Sequence, residues 1–430
     1  MEYNKYSTYQ DTYSKWLPSI PKSWQYVRLG QFFSERNEKV SDKDYPPLSV
    51  TMNGIVPQLE TAAKTDAGDN RKKVCKGDFV INSRSDRKGS SGLSTLDGSV
   101  SLISIVLKPN GLDGAYIHHL LRSKWFQEEF YRFGKGIVDD LWSTKYSDMK
   151  SINIPIPSLN EQQAISTFLD RETTRIDALI EKKQHLIELL KEKRQAVITQ
   201  AVTKGLDPNV PMKDSGVEWL GEVPEHWDIK RVKHYGKVIG GYAFKSTDFT
   251  DEGVPVIKIT NVSHLHFDWS DSSFLPVTYL TEHKEFIAPS GALVFAMTRP
   301  IISGGVKVAI LDREEACLVN QRVGFIPPTC NFENEYLSYV ARSTPFVSAF
   351  ENSLTATNQP NISPESIENI CFACPPFEER LLIRKYLDNF LANVFKIIRG
   401  AEKSIELLQE YRSTLITAAV TGQIDVRNLA

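Results

Sequence analysis

Apolar residues recur at three- and four-residue steps through Ile176, Leu179, Ile180, Ile187, Leu190, Val197, Ile198 and Ala201, with Glu, Lys and Arg between them. That spacing predicts an amphipathic helix. Asn160 with Gln163 three residues on has the form of a helix cap, and Pro157 bars an earlier start. Because 160–203 is long for one helix, the pattern is read as one helix to about Asp170 and a second from about Thr174, closed by Lys204-Gly205. The same stripe returns at Val394, Ile397, Ile398, Ile405, Leu408, Leu415, Ile416 and Ala419. Elsewhere the pattern changes to short strand-like runs, Leu102–Leu107, Val254–Ile259 and Leu293–Ala296, broken by Gly, Asn and Asp. Helical stretches follow near Tyr116–Phe130 and Glu335–Glu351, so the fold class is mixed α/β.

The chain repeats itself. Asp11…Trp16-Leu17-x-x-Ile20-Pro21-x-x-Trp24…Arg28 returns 203 residues later as Asp214…Trp219-Leu220-x-x-Val223-Pro224-x-x-Trp227…Arg231. Pro157, Glu161, Ile165 and Leu169-Asp170 return 218 residues later at Pro375, Glu379, Ile383 and Leu387-Asp388, and the match runs through Arg194 and Arg412 to Val202-Thr203 and Val420-Thr421. The difference in offset places about fifteen extra residues in the second variable segment. A weaker echo joins Lys76-Gly77-Asp78-Phe79-Val80…Arg84 to Ser290-Gly291-Ala292-Leu293-Val294…Arg299. The repeat divides the chain into globular domains at 1–156 and 214–374 and helical segments at 157–213 and 375–430. The Trp-Pro brackets are read as anchors of each domain's first strand.

Neither stripe is stable alone, and the nearest matching partner for each is the other copy. The helices are expected to pair as an antiparallel coiled coil relating the domains by a pseudo-twofold axis, with Ile176, Leu179, Ile180, Ile187, Leu190 and Val197 facing Val394, Ile397, Ile398, Ile405, Leu408 and Leu415. At about 1.5 Å per residue, roughly 28 residues span about 40 Å, close to one DNA turn of about 34–36 Å.

Composition narrows the function. Of 430 residues 41% are hydrophobic and 24% charged, ordinary for folded domains. No apolar run reaches the roughly 18 residues of a membrane span, and five cysteines suggest reduced thiols, so a cytoplasmic location is expected. No glycine cradle for a nucleotide phosphate occurs. Cys374-Pro375-Pro376-Phe377 imitates an adenine-methyltransferase loop, but a thiol cannot supply the amide or carboxylate that such a loop needs. Cys371-x-x-Cys374 with Cys317 and Cys330 can be written as a zinc set, yet its repeat counterparts Asn153 and Ile156 lie in a strand-like run, which places these thiols in the matching strand. His118-His119 and His264-Leu265-His266 lack metal spacing with carboxylates, and no nucleophile–base order emerges. Catalysis by this chain, and a metal or cofactor within it, are therefore not expected.

The formal net charge of −2 hides an asymmetry. Residues 1–156 carry 22 Lys and Arg against 18 Asp and Glu, whereas 216–374 carry 12 against 19. Lys64, Arg71, Lys72, Lys73, Lys76, Arg84, Arg87 and Lys88 cluster within 25 residues. Cations neutralise phosphates, and Arg, Asn and Gln also read base edges. DNA-contact candidates are therefore Lys64, Arg71, Lys72, Lys73, Arg84, Arg87 and Lys88 in the first domain, and Lys245, Lys258, Asn261, Arg299, Lys307, Gln321, Arg322, Asn358 and Gln359 in the second.

These motifs together resemble those of a type I restriction-modification specificity subunit over essentially the whole chain. The resemblance rests on both Trp-Leu-x-x-Ile/Val-Pro-x-x-Trp openings and on Ile154-Pro155-Ile156-Pro157-x-Leu159-x-Glu161-Gln162-Gln163. It continues through Ile176-Asp177-Ala178-Leu179-Ile180-Glu181-Lys182-Lys183, Leu189-Leu190-Lys191-Glu192-Lys193-Arg194, and Val202-Thr203-Lys204-Gly205-Leu206-Asp207 into Asp214-Ser215-Gly216-Val217-Glu218-Trp219-Leu220-Gly221. The second copy departs at Glu378-Glu379-Arg380. The resemblance implies a non-catalytic chain whose two target-recognition domains each read half of a split double-stranded DNA sequence. It also implies two methyltransferase subunits that bind S-adenosylmethionine and two restriction-translocase subunits that use ATP and Mg. Outside that resemblance, a DNA-binding scaffold or repressor, or the specificity module of a related multi-subunit methyltransferase, are the alternatives.

Overall fold

The computed structural model describes residues 3–60, 68–135, 142–264, 266–302, 305–329, 333–355 and 360–429. Lys64, Leu265, Cys330, Asn358 and Gln359, named above, lie outside them. The chain divides into two units, residues 1–184 with 402–430, and residues 185–401. Among the described residues no helix is long and apolar enough to cross a membrane.

Each unit is built on the same antiparallel four-stranded sheet. In the first unit the order is Ser91–Leu93, Phe79–Asn82, Ser104–Pro109 and Phe33–Glu35. In the second it is Val308–Ile310, Leu293–Ala296, Val323–Ile326 and Ile239–Gly240. The Trp-Pro bracket leads in both units to a strand that pairs with the segment just before the long helix: Gln25–Arg28 with Asn153–Ile156, and Asp228–Arg231 with Cys371–Cys374. The cysteines thus occupy the matching strand. Trp24 and Trp227 are buried, while the earlier tryptophans, Trp16 and Trp219, are exposed.

Two short helices cover each sheet. They span Gly114–Arg122 and Lys124–Arg132 in the first unit and Asn334–Val340 and Thr344–Asn352 in the second, so each expected helical stretch consists of two helices. Ser123 makes the break in the first, ending one helix and capping the next through Phe126 N–H. Tyr116, Phe126 and Phe130 are matched 220 residues on by Tyr336, Phe346 and Phe350, all buried. The second unit adds a further four-stranded sheet in which Val254–Ile257 runs parallel to Cys317–Val319.

The long helices correct two expectations. The central helix is continuous over Leu159–Lys204, without a break near Asp170. Thr173 gives its hydroxyl to the Leu169 carbonyl inside the helix, at 2.7 Å, and no Gly or Pro interrupts the run. The cap is Ser158, whose Oγ accepts from Glu161 N–H, and not Asn160, which lies inside the first turn. The C-terminal helix spans Phe377–Val420.

In the first unit Ile165, Leu169 and Ile176 of the central helix share one core with Leu415, Ala419 and Val420 of the C-terminal helix. In the second unit Ile198, Ala201 and Val202 share a core with Ile383, Leu387 and Leu391. The start of one helix thus meets the end of the other, the antiparallel sense of the expected coiled coil. The stripe is narrower than expected: Leu179 and Ile397 are exposed, and Ile180, Leu190, Val197, Ile405 and Leu408 are half-buried. Each helix ends at a glycine in the left-handed region, Gly205 and Gly422, where an added Cβ would lie 3.3 Å from the ring of Trp227 or Trp24.

Candidate nucleic-acid interface

In the first unit, the sheet strand Phe79–Asn82 runs out into the segment Ser83–Lys88. Ser85 N–H donates to the Trp142 carbonyl at 3.1 Å, and Arg84 bridges to Ser143. On the other flank, a turn closed by Ser104 N–H on the Ser101 carbonyl presents Leu102 and Ile103, each 40% exposed. Sequence pattern assigned these two residues to a strand. The strand begins at Ser104, because Leu102 and Ile103 sit in the turn before it. A groove of about 540 Å³ lies at this end, lined by Ser83, Leu102, Ile103, Ser143, Lys145 and Lys150 among others. The Arg84 side chain is exposed and makes no hydrogen bond or ion pair among the described residues.

The equivalent end of the second unit is more polar. After Leu293–Ala296, Arg299 has φ 46°, a left-handed conformation that costs a residue with a Cβ about 1–2 kcal/mol. Its N–H donates to the Pro360 carbonyl at 2.9 Å, and Lys307 N–H to the Pro300 carbonyl at 2.7 Å. Arg322 lies alongside, its carbonyl accepting from Met297 N–H at 2.8 Å, and Gln321 N–H donates to Tyr242. Gln321 and Arg322 precede their strand as Leu102 and Ile103 precede theirs. Arg299, Gln321, Arg322 and Lys245 are exposed, and Lys307 is half-buried.

Several sequence candidates prove to be internal braces. Arg71 is buried, with its guanidinium on Ser99 Oγ at 2.8 Å and on the Ser99 carbonyl, which takes it away from any DNA surface. Asn261 is wholly buried, tying Lys258 N–H and the Asp268 and Asp271 carbonyls into one turn. Lys72 is held by Glu35, Lys73 by Glu38, Lys88 by Glu128 and Lys258 by Asp271, at 2.6–2.9 Å. Arg87 is exposed, with Asp86 at 3.7 Å. Turn chemistry explains why Asn261 drew attention without reaching solvent: amides that brace turns look the same in sequence as amides that read bases.

Two antiparallel sheets of the same strand order, each ending in an arginine-bearing loop, define a duplicated recognition protein with a helical connector. The chain belongs to the family whose model is described as the type I restriction modification DNA specificity domain, which matches residues 21–189 and 224–407. It is 28% identical over 423 residues to the type I restriction enzyme MjaVIII specificity subunit of Methanocaldococcus jannaschii, covering 95% of both chains. To the EcoAI specificity subunit of Escherichia coli it is 26% identical over 231 residues, 53% of this chain and 39% of that one. Among solved structures, a chain from work on assembly and conformational transition of the type I R-M system superposes with TM-score 0.74 at 15% identity, covering 94% of this chain and 99% of that one. The HsdS subunit of Thermoanaerobacter tengcongensis gives 0.55 at 18%, covering 96% and 100%.

Proposed function

We infer that this chain is the DNA-specificity subunit of a type I restriction-modification complex and that each unit reads one half of a split double-stranded target. The observation that carries this reading is the contrast at the sheet ends. The framework repeats, while the exposed turn carries Leu102-Ile103 in one copy and Gln321-Arg322 in the other. Apolar side chains suit a thymine methyl, and Arg or Gln suit the donor and acceptor edges of guanine or adenine. Arg84 and Arg299, whose side chains have no hydrogen-bond or ion-pair partner among the described residues, supply charge beside each turn. The paired helices act as the spacer that fixes the unread gap.

In this reading the chain itself carries no catalysis. Two methyltransferase subunits supply S-adenosylmethionine chemistry, two restriction-translocase subunits supply ATP- and Mg-dependent translocation and cleavage, and the complex works in the cytoplasm. The test is methylome sequencing of cells expressing this chain with its methyltransferase partner, against cells lacking this chain. The expected result is methylated adenine in a two-part motif with a fixed gap. Methylation of one undivided site, or a motif that persists without this chain, overturns the reading.

A further inference from the structure

A cavity of about 260 Å³ in the first unit lies between the two short helices and the C-terminal helix. Its charged lining is cationic: Arg122, Lys124 and Arg412, with His118, Gln127 and Ser413 beside them and no Asp or Glu in the lining. Among the described residues, of the three cations only Arg412 has an ion-pair partner, Asp177 at 2.9 Å. Arg122 is half-buried, and its partners are neutral: Nη1 lies 2.9 Å from His118 Nε2, and Nη2 donates to the Met52 carbonyl. Burial first, and then the Arg122 charge, hold His118 down at about 4, so the imidazole is neutral at pH 7 and its Nε2 accepts from Arg122. His119 alongside is tied to Asp170 at 2.7 Å. A guanidinium withdrawn from water, facing a second cation and lacking a carboxylate, is the arrangement that an anion completes.

The second unit supplies an internal comparison. Arg342 stands where Arg122 does, but it is buried and its three nitrogens donate to the His264 carbonyl at 3.0 Å, Ser338 Oγ at 2.9 Å and the Val308 carbonyl at 3.2 Å. The neighbouring cavity is lined by Glu188, Glu192 and Glu351 together with Lys191 and Arg194. There the same position is a structural brace beside acidic groups. Among the described residues, the uncompensated charge at this position is confined to the first copy.

We propose that the Arg122–Lys124–Arg412 cavity binds a phosphate group. Arginine presents paired N–H donors that match phosphate oxygens, and the cavity has room for the group with part of its water. Gly89, which closes the loop bearing Arg84, Arg87 and Lys88, also lines the cavity, so the site adjoins the loop assigned above to DNA. The phosphate has two sources, the DNA backbone or free inorganic phosphate. Only the first rests on the DNA-reading assignment.

The test uses the full chain, titrated with potassium phosphate against potassium chloride of equal ionic strength, with Arg122→Gln and the surface variant Lys124→Gln. Wild type is expected to bind phosphate and each variant to bind it about tenfold more weakly. Lys124 is exposed, so K124Q keeps the test valid if R122Q does not fold. In a second arm, affinity for target duplex is followed against salt. A slope of log K on log salt lower by about 0.9 in K124Q assigns the site to one backbone phosphate. An unchanged slope with weakened phosphate binding assigns it to free phosphate. Unchanged phosphate behaviour and unchanged slope in the folded variants overturn the site, while wild-type binding to its target leaves the DNA reading standing.

Discussion

Arg412 Nε lies 2.9 Å from Oδ1 of Asp177, joining the C-terminal helix to the central helix within the first unit. At the repeat-equivalent place in the second unit, Arg194 sits with its guanidinium 5.9 Å from the ring centre of Phe395, which occupies the position of Asp177. The same arginine thus fastens the same helix pair by an ion pair in one copy and by a cation–π contact in the other. Asp177→Asn is expected to cost less than about 1 kcal/mol, a cost that fades in high salt because the pair is partly exposed. Phe395→Ala is expected to cost about 2 kcal/mol with little salt dependence, since apolar contact is lost. Hydrogen exchange of each unit at low and high salt checks both. Equal salt dependence in the two variants contradicts this account.

The helix ends give a second prediction. Gly422 has φ 71°, and a Cβ there would overlap Cγ and Cδ of Pro21 and lie 3.3 Å from the Trp24 ring. Gly216 has φ 69° with nothing within 4 Å. Gly216→Ala should therefore cost only the backbone term of about 1 kcal/mol, and Gly422→Ala clearly more, because packing strain is added. Chemical denaturation separates them, and equal losses would remove the packing argument.

Specificity should change one half-site at a time. Arg322→Ala is expected to relax or alter bases in one half of the methylated motif, with an affinity loss of about 1–3 kcal/mol, and Ile103→Ser to act on the other half. Asn261→Ala should lower the stability of the second unit without rewriting the motif, since its amide is consumed by the turn. A motif that changes in both halves with either contact variant refutes the one-domain, one-half assignment.

Stability of the second unit should depend on pH through His264. Its Nδ1 lies 3.1 Å from the Val306 carbonyl. Burial, together with the charges of Arg342 and Arg194, overcomes that bond and pushes the pKa down to about 4. An unfolded histidine titrates near 6.5, so between pH 6.5 and 4 the unfolded chain takes up a proton that the folded chain refuses. Stability is therefore full above about 6.5 and falls as pH drops, by up to about 1.4 kcal/mol per pH unit. Urea midpoints at pH 7.5 and 5 for wild type and His264→Gln check the sign. The variant should lose this part of the acid sensitivity, and an identical pH profile would remove His264 from the explanation.

Sequence alone determined the duplication, the α/β class and the two helical segments. Periodicity of 3.6 survives substitution, and Trp24 with Pro21 or Trp227 with Pro224 marks the same strand entry twice. It also implied the antiparallel pairing, because each stripe needed a partner of its own length. Tertiary structure decided what periodicity cannot express. A second helix is expected from about Thr174, yet the Thr173 hydroxyl turns inward to Leu169 and one helix runs on. Leu102 and Ile103 carry strand propensity, but a turn exposes them. Arg71 and Asn261 look in sequence like Arg84 and Gln321, and differ only in whether their donors are already satisfied inside the protein. The cavity around Arg122 was equally hidden, since its charge is uncompensated only because residues 290 positions apart meet there. A side chain's availability to a ligand depends on what the fold has left unpaired, and that is settled by contacts distant in sequence.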